Sequence, residues 1–161
     1  MNYKKAMEGN NGDLTLPIKV KKLVPEAVIP FYAHQGDAGM DITCTSFEQD
    51  YENDCFMYHT GLAFEVPPGY VMLIFPRSSN RKTDYYLTNS VGVLDSGYRG
   101  ELMFAYKNRD NQGFNYQKPP YEIGDRIGQI IILPYPPIRF IEVGDLASSE
   151  RGTGGFGSTG K

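Results

Sequence analysis

The sequence predicts an all-β fold, a sandwich or jelly roll that forms a single domain. Three observations support this prediction. Apolar residues recur in short runs typical of strands, turn signals separate the runs, and no convincing amphipathic helix is present. The 161 residues include 18 glycines and 11 prolines, a content that favours tight turns over long helices.

Eight apolar runs are predicted as strands, at residues 18–20, 42–45, 55–58, 62–66, 70–75, 102–106, 127–133 and 138–143. Turn signals rich in Gly, Pro, Asn and Asp separate them, at 36–37, 53–54, 67–69, 96–97, 111–113, 119–120, 124–125 and 136–137. At most one or two helical turns are expected, around residues 83–86. The chain is predicted to have a flexible polar leader at 1–13, a body at 14–150 and a Gly-rich arm at 151–161.

Composition excludes several classes of function. The formal charge is −3, which gives no bulk attraction to nucleic acid or to anionic membranes, so neither is expected as a partner. The apolar runs are too short to span a bilayer, and the polar start lacks a secretory signal, which predicts a cytoplasmic protein. Cys44 and Cys55 have neither disulfide-scaffold nor zinc-site spacing and are predicted to be ordinary thiols. The sequence has only two histidines, His34 and His59, which gives little support for zinc hydrolysis or for histidine-based nucleophilic catalysis.

Residues 89–101 contain the most informative candidate chemistry. The tetrapeptide Asp95-Ser96-Gly97-Tyr98 is typical of a tight turn that needs a positive φ at Gly97. Such a turn would bring the Asp95 carboxylate and the Tyr98 phenol together at the end of an apolar strand. A hairpin turn with a solvated aspartate explains this segment equally well.

Two other segments carry candidate phosphate-binding groups. Arg77, Ser78 and Ser79 directly follow the predicted strand 70–75, and a guanidinium beside two hydroxyls suits phosphate, although a solvated basic loop is the simpler interpretation. Residues 124–129 indicate a turn entering a buried strand, with Arg126 as a structural ion-pair partner.

The arm has glycine at five of the ten positions 151–160. A free Gly-rich tail is usually disordered. Its backbone N–H groups are nevertheless suited to wrapping a polyphosphate, and Phe156 to closing over a flat base. The composition therefore favours a mobile lid that orders on its substrate.

Five segments in this order resemble the five motifs of the trimeric deoxyuridine triphosphatase (dUTPase) family. They are Ala-Gly-Met-Asp-Ile at 38–42, Pro-Arg-Ser-Ser at 76–79, residues 89–100, Gly-Asp-Arg-Ile-Gly-Gln at 124–129, and 151–160. Each motif alone is weak, whereas five in sequence with similar gaps are specific. The resemblance covers about residues 17–160 of the chain.

This resemblance implies hydrolysis of dUTP to dUMP and pyrophosphate with Mg²⁺, a reaction that limits uracil incorporation into DNA and supplies dUMP. It also implies a distorted jelly-roll β-barrel, a homotrimer and a C-terminal arm exchanged between subunits. The arm at 151–161 would close a neighbouring active site.

The resemblance also implies roles for individual residues. Asp95 matches the general base, which activates a water for attack on the α-phosphorus. Asp41 matches the carboxylate that holds the water shell of Mg²⁺, while the triphosphate chelates the ion directly. The matching substrate-binding residues are Arg77, Ser78, Ser79, Asn89, Gly92, Tyr98, Gln129, Arg151, Phe156, Gly157, Ser158 and Thr159.

Several of these residues have distinct implied tasks. Ser78 would contact the phosphate bridge, and Gln129 would hold a phosphate or a water. Asn89 would help main-chain groups to bind uracil, Tyr98 would pack on the sugar, and Phe156 would stack on the base. The implied γ-phosphate ligands are Arg151, Ser158 and Thr159.

Three departures from the family pattern stand out: Asn80-Arg81 replaces a small apolar pair, Gly128 replaces a common alanine, and residues 109–117 form a longer polar connection. One alternative is a dCTP deaminase-like or bifunctional enzyme, but the position of its catalytic glutamate holds Ala105 here. The other is a regulatory binding protein on the same scaffold, which the intact motifs do not favour.

Overall fold

The computed structural model describes residues 15–110 and 118–155. In these residues the regular structure consists of nine strands and one 3-10 turn at Ser78–Lys82. No helix in this part of the chain is long and apolar enough to cross a membrane. The strands are β1 (Lys19–Lys22), β2 (Met40–Thr43), β3 (Ser46–Asp50), β4 (Cys55–Glu65), β5 (Tyr70–Phe75), β6 (Tyr85–Leu87), β7 (Gly92–Leu94), β8 (Glu101–Asn108) and β9 (Arg126–Pro134).

The strands form two antiparallel sheets. The first has the order β1-β4-β8-β6, and β3 also pairs with β4. The second has the order β2-β9-β5-β7. Strand β4 is long enough to pair with β3 along its first half and with β1 along its second half.

Strand β4 contains a bulge between these halves. Its register with β8 shifts between His59 and Ala63. Gly61, inside the bulge, has a φ of +64°, a conformation that favours glycine. The bulge lies opposite the start of β8, directly after the Asp95–Tyr98 segment.

Apolar residues of both sheets form one buried core. Two tyrosines at its centre, Tyr58 and Tyr106, donate hydrogen bonds to the backbone oxygens of Tyr121 (3.2 Å) and Ile127 (2.6 Å). Burial raises the pKa of both phenols, so they remain neutral donors. Other large members of the core are Phe56, Phe104, Ile42, Leu62, Met72, Leu102 and Ile130.

Both cysteines are free and buried, which confirms the prediction of ordinary thiols. Burial raises the pKa of Cys44 to about 11, and burial also raises the pKa of Cys55. Both thiols are therefore poor nucleophiles.

The all-β prediction is confirmed, but four details of the predicted elements are wrong. The runs at 55–58 and 62–66 are one strand, because the bulge bends β4 without ending it. Strand Ser46–Asp50 was not predicted. Residues 85–87 form a strand rather than a helical turn, since they pair with β8. Residues 138–143 form no strand, because no described part of the chain pairs with them.

Candidate active site

A polar cavity of about 420 Å³ lies where β2, β9 and the end of β5 meet. It brings together four of the predicted site residues: Asp41 from β2, Gln129 from β9, and Arg77 and Ser78 directly after β5. Its other lining residues are Phe31, Ala33, Asp37, Ala38 and Gly39.

Asp41 lies between two arginines beside this cavity. Its Oδ1 accepts a hydrogen bond from Arg77 Nε at 2.7 Å, and its Oδ2 accepts one from Arg126 Nη1 at 3.0 Å. The predicted ion-pair role of Arg126 is therefore confirmed. Each carboxylate oxygen keeps a further lone pair that can accept a hydrogen bond from water.

Gln129 is fixed by its position in the sheet. It lies opposite Asp41 on one side and opposite Phe75 on the other, and its Nε2 donates to the backbone oxygen of Pro76 at 3.0 Å. Gly39 makes room for its amide, because an added Cβ there would come within 2.6 Å of Gln129 Oε1. Gly39 was not predicted as a site residue, although its position two residues before Asp41 could have indicated one.

The loop after β5 is anchored by Asn80, which is 8% exposed. Its Nδ2 donates to the backbone oxygen of Tyr85 at 2.9 Å, and its Oδ1 accepts from Tyr121 Oη at 3.0 Å. This explains the departure at Asn80, because a small apolar side chain makes neither bond. Arg81 is exposed, whereas Ser79 Oγ accepts a hydrogen bond of 3.4 Å from Arg77.

A second cavity of about 310 Å³ contains Asn89, Asp95 and Tyr98. The predicted turn is present, since Tyr98 N donates to the backbone oxygen of Asp95 at 3.1 Å. The prediction of a positive φ at Gly97 is wrong, because the turn forms with the φ of Gly97 outside the left-handed region. The remaining lining residues are Met57, Ile74, Val93, Leu94, Glu101, Leu102, Met103 and Ala105.

Gly92 lies in β7 opposite Ile74, next to Asn89. An added Cβ at Gly92 would come within 3.0 Å of Ile74 Cβ and 3.1 Å of Asn89 Nδ2. A side chain at this position would therefore displace the Asn89 amide at the edge of the cavity.

The two cavities share no lining residue, and Asp95 and Arg77 lie near different ends of β5. Leu94, next to Asp95, pairs with Met72 near the start of β5, whereas Arg77 lies beyond its end. At about 3.4 Å per residue, the distance along the strand from Met72 to Arg77 is roughly 17 Å. Asp95 and Arg77 of one chain are therefore well apart.

The arm is described as far as residue 155. Arg151 is exposed, donates from Nε to the backbone oxygen of Gly154 at 3.0 Å, and lines neither cavity. The predicted site residues Phe156, Gly157, Ser158 and Thr159 lie outside the described residues, as do the leader at 1–13 and most of the 109–117 connection.

The described residues contain no cluster of three or more His, Cys, Asp or Glu side chains that could hold a metal ion. Asp41 lies in one cavity and Asp95 in the other. The polar cavity is lined by only two carboxylates, Asp37 and Asp41, too few for an all-protein cage but compatible with a cation such as Mg²⁺, which keeps several waters and is bound by one or two carboxylates together with substrate phosphates.

The fold and the cavities define an all-β jelly-roll protein with a polar cavity lined by the ion pair of Asp41 and Arg77. The family model of the dUTPases matches residues 25–160, and the chain belongs to the dUTPase family. It is 39% identical over 147 residues to a deoxyuridine 5'-triphosphate nucleotidohydrolase of Nautilia profundicola, with 91% of this chain and 100% of the relative covered. Its identity to the enzyme of the same name from Clostridium acetobutylicum is 36% over 144 residues, covering 89% and 96% of the two chains.

A solved structure supports the same assignment. The dUTPase of Staphylococcus bacteriophage 80alpha, determined with dUPNHPP, superimposes with a TM-score of 0.74 and is 30% identical. The alignment covers 91% of this chain and 100% of the phage chain. The predicted family and jelly-roll fold are therefore confirmed.

Proposed function

We propose that this protein hydrolyses dUTP to dUMP and pyrophosphate. The observation that carries this proposal is that a dUTPase-family chain keeps both chemical halves of the site. One cavity presents Arg77, Ser78 and Gln129, and the other presents Asp95 and Tyr98.

The triphosphate binds in the polar cavity, where Arg77 offers positive charge and Ser78 and Ser79 offer hydroxyl donors. Asp41 holds Arg77 in place through the 2.7 Å hydrogen bond. The buried Asn80 anchors the loop, so the cationic groups are oriented before the substrate arrives.

Asp95 acts as the general base. It orients a water, accepts one of its protons, and the resulting oxygen attacks the α-phosphorus while the bond to the bridging oxygen breaks and pyrophosphate leaves. Asp41 would hold the water shell of a Mg²⁺ ion bound by the phosphates, and the ion would supply positive charge that offsets the phosphate charge and orients the triphosphate. Ser78 donates to the bridging oxygen as it gains charge.

The second cavity selects the nucleoside. Asn89 and the backbone around Gly92 form hydrogen bonds with uracil, and cytosine is rejected because its reversed donors and acceptors would remain unpaired. Tyr98 packs against the deoxyribose and excludes a 2′-hydroxyl. In the arm, Phe156 stacks on the base, the backbone at Gly157 approaches the phosphates, and Arg151, Ser158 and Thr159 bind the γ-phosphate.

A complete site needs more than one chain, and the expected assembly is a homotrimer. The roughly 17 Å along β5 is too long for Asp95 and Arg77 of one chain to act on neighbouring phosphates. A closed ring places the Asp95 cavity of one subunit against the polar cavity of the next.

The arm crosses to a neighbouring subunit in this assembly. Phe140 and Leu146 are 91% and 89% exposed, an unfavourable arrangement for large apolar side chains in water. An apolar groove of about 410 Å³ lies between the edges of β1 and β2 and is lined by Ile18, Val20 and Met40. Residues 138–146 of a second copy suit this groove, and the arm then continues towards a neighbouring active site.

A pyrophosphate-release assay tests the reaction, with dUTP, dCTP, dTTP and UTP compared in Mg²⁺ and again in EDTA. Release is expected mainly from dUTP and is lost with EDTA. Equal rates with all four nucleotides, or no release from dUTP, would contradict the proposal.

The Asp95→Asn variant tests the general base. Its turnover is expected to fall by several orders of magnitude, while calorimetric binding of dUpNHpp stays close to that of the unchanged protein, because the amide accepts no proton at neutral pH. Retained turnover would remove Asp95 from this role.

A deaminase is disfavoured by Ala105, which lines the nucleoside cavity where that enzyme class needs an acid. Ammonia release from dCTP without pyrophosphate would reverse the assignment. No feature of the residues that the structure describes favours a regulatory role on the same scaffold.

A further inference from the structure

Tyr98 is 42% exposed, so packing alone does not fix its ring. Two contacts with the backbone at residues 100–101 hold the ring in place. The hydroxyl donates to the backbone oxygen of Glu101 at 3.1 Å. The ring also lies over Gly100, where an added Cβ would come within 2.6 Å of Tyr98 Cζ. The position of the ring therefore depends on the backbone at residues 100–101.

The backbone of Glu101 is itself held by the Glu101 side chain. Oε1 accepts hydrogen bonds from the backbone N–H groups of Thr60 at 3.1 Å and Gly61 at 2.7 Å. Oε2 lies 3.0 Å from His59 Nδ1. All three partners belong to the bulge of β4, which locally disrupts the hydrogen-bond ladder with β8. The carboxylate supplies the acceptor that the bulge needs and joins it to the start of β8.

We propose that Glu101 is a positioning residue for Tyr98, and that its link to the β4 bulge sets how strongly the site discriminates dUTP from UTP. This inference rests on the proposed function, in which the Tyr98 ring packs against the deoxyribose. A ring held in place excludes a 2′-hydroxyl, whereas a ring that can retreat makes room for it. Glu101 touches no reacting atom and acts only through the ring.

The test is the ratio of kcat/KM for dUTP to kcat/KM for UTP. Glu101→Ala is expected to lower this ratio about five- to tenfold, the effect of losing one ordinary hydrogen bond, mainly through a higher kcat/KM for UTP. Glu101→Gln is expected to restore most of the ratio, because its amide oxygen still accepts from Thr60 and Gly61. Glu65→Ala is the matched control: this exposed glutamate of β4 bonds Lys19 at 2.9 Å, and its loss leaves the ratio unchanged.

Two further variants show whether the effect passes through the ring. Tyr98→Phe removes only the hydroxyl, so adding it to Glu101→Ala is expected to cause no further loss. Gly100→Ala moves the ring without altering the bulge and is expected to give the same loss of discrimination, including where Glu101→Ala fails to fold.

Three results would overturn the inference: an unchanged ratio in folded Glu101→Ala, additive effects in the double variant, or a fall in kcat for both nucleotides at unchanged KM, which indicates a role in stability alone. Where Glu101→Ala does not fold, an unchanged ratio in Gly100→Ala would overturn it. If the unchanged protein hydrolyses UTP as efficiently as dUTP, that result contradicts the proposed function and not this inference.

Discussion

Gly128 lies in β9 against the ring of Phe104, and both residues are buried. An added Cβ at this position would come within 2.7 Å of Phe104 Cζ and 2.8 Å of Phe104 Cδ1. The glycine, where the resembled motif commonly has alanine, therefore accommodates a large ring from the facing sheet. Glycine in place of alanine at position 128 therefore makes room for the Phe104 ring, and it leaves the polar cavity unaltered because Gly128 does not line it.

Gly128→Ala is expected to lower the free energy of unfolding by about 1–3 kcal/mol, because the ring and the backbone must move apart in a closely packed core. Gly97→Ala is the matched control, since an added Cβ there has no neighbour within 4 Å. Urea denaturation measures both. Equal stability of the two variants would show that the Phe104 contact is not limiting.

The ionisation of the Glu101 side chain predicts that the stability of the protein depends on pH. Burial opposes ionisation, but hydrogen bonds from His59, Gly61 and Thr60 prevail and lower the pKa of Glu101. A lowered folded-state pKa adds stability above the unfolded-state pKa, and this stability is lost as the pH falls through the folded-state value.

The stability advantage of the unchanged protein over Glu101→Gln is therefore expected to shrink below about pH 4.3. The free energy of unfolding in urea, measured for both proteins at neutral pH and at about pH 3, gives this difference. A constant difference across this range would contradict the assigned cause.

At the scale of elements, the sequence predicted strands well where apolar residues were dense, as in β5 and β9. It missed β3, Ser46–Asp50, because this edge strand contains a single apolar residue and is held by pairing with β4. It allowed for helical turns around residues 83–86, but residues 85–87 form a strand; three residues are too few to show a period, and only the pairing with β8 makes them a strand.

The candidate site was predictable to the same extent. Residues in linear motifs, such as Arg77 and Asp95, could be named because short spacing along the chain carried the signal. The link from Glu101 to the β4 bulge and the anchoring of Asn80 by Tyr121 join residues 40 or more positions apart. No local sequence pattern indicates such pairs, and they can be identified only in the folded sheets.

Deletion of residues 151–161 tests the arm as an element. The truncated protein is expected to lose most of its dUTP turnover, since the proposed γ-phosphate ligands are removed, while keeping its circular dichroism spectrum and its oligomeric mass. Normal turnover after truncation would contradict the lid role, and loss of the oligomer would show that these residues serve assembly instead.

At the scale of the whole molecule, the separation along β5 predicts that two inactive variants can complement each other. Asp95→Asn damages one cavity and Arg77→Ala the other, so each alone is expected to be inactive. Co-expressed in equal amounts and randomly mixed in a closed trimer, they regain about one quarter of the intact sites. Pyrophosphate release from the purified mixture measures this.

The control for complementation is the same pair of variants purified separately and mixed under conditions that prevent subunit exchange, where no activity should return. If the co-expressed mixture is also inactive, both halves of each site belong to one chain. Sedimentation of the unchanged protein, expected at three times 18.1 kDa, tests the stoichiometry independently.

The length of β5 has a consequence for a newly made chain. If Asp95 and Arg77 of one chain lie too far apart along β5 to act on one substrate, a single polypeptide can fold but cannot complete an active site by itself. Specific activity should then rise with protein concentration and fall on extreme dilution, so the supply of chains would govern hydrolysis more steeply than in proportion to their number.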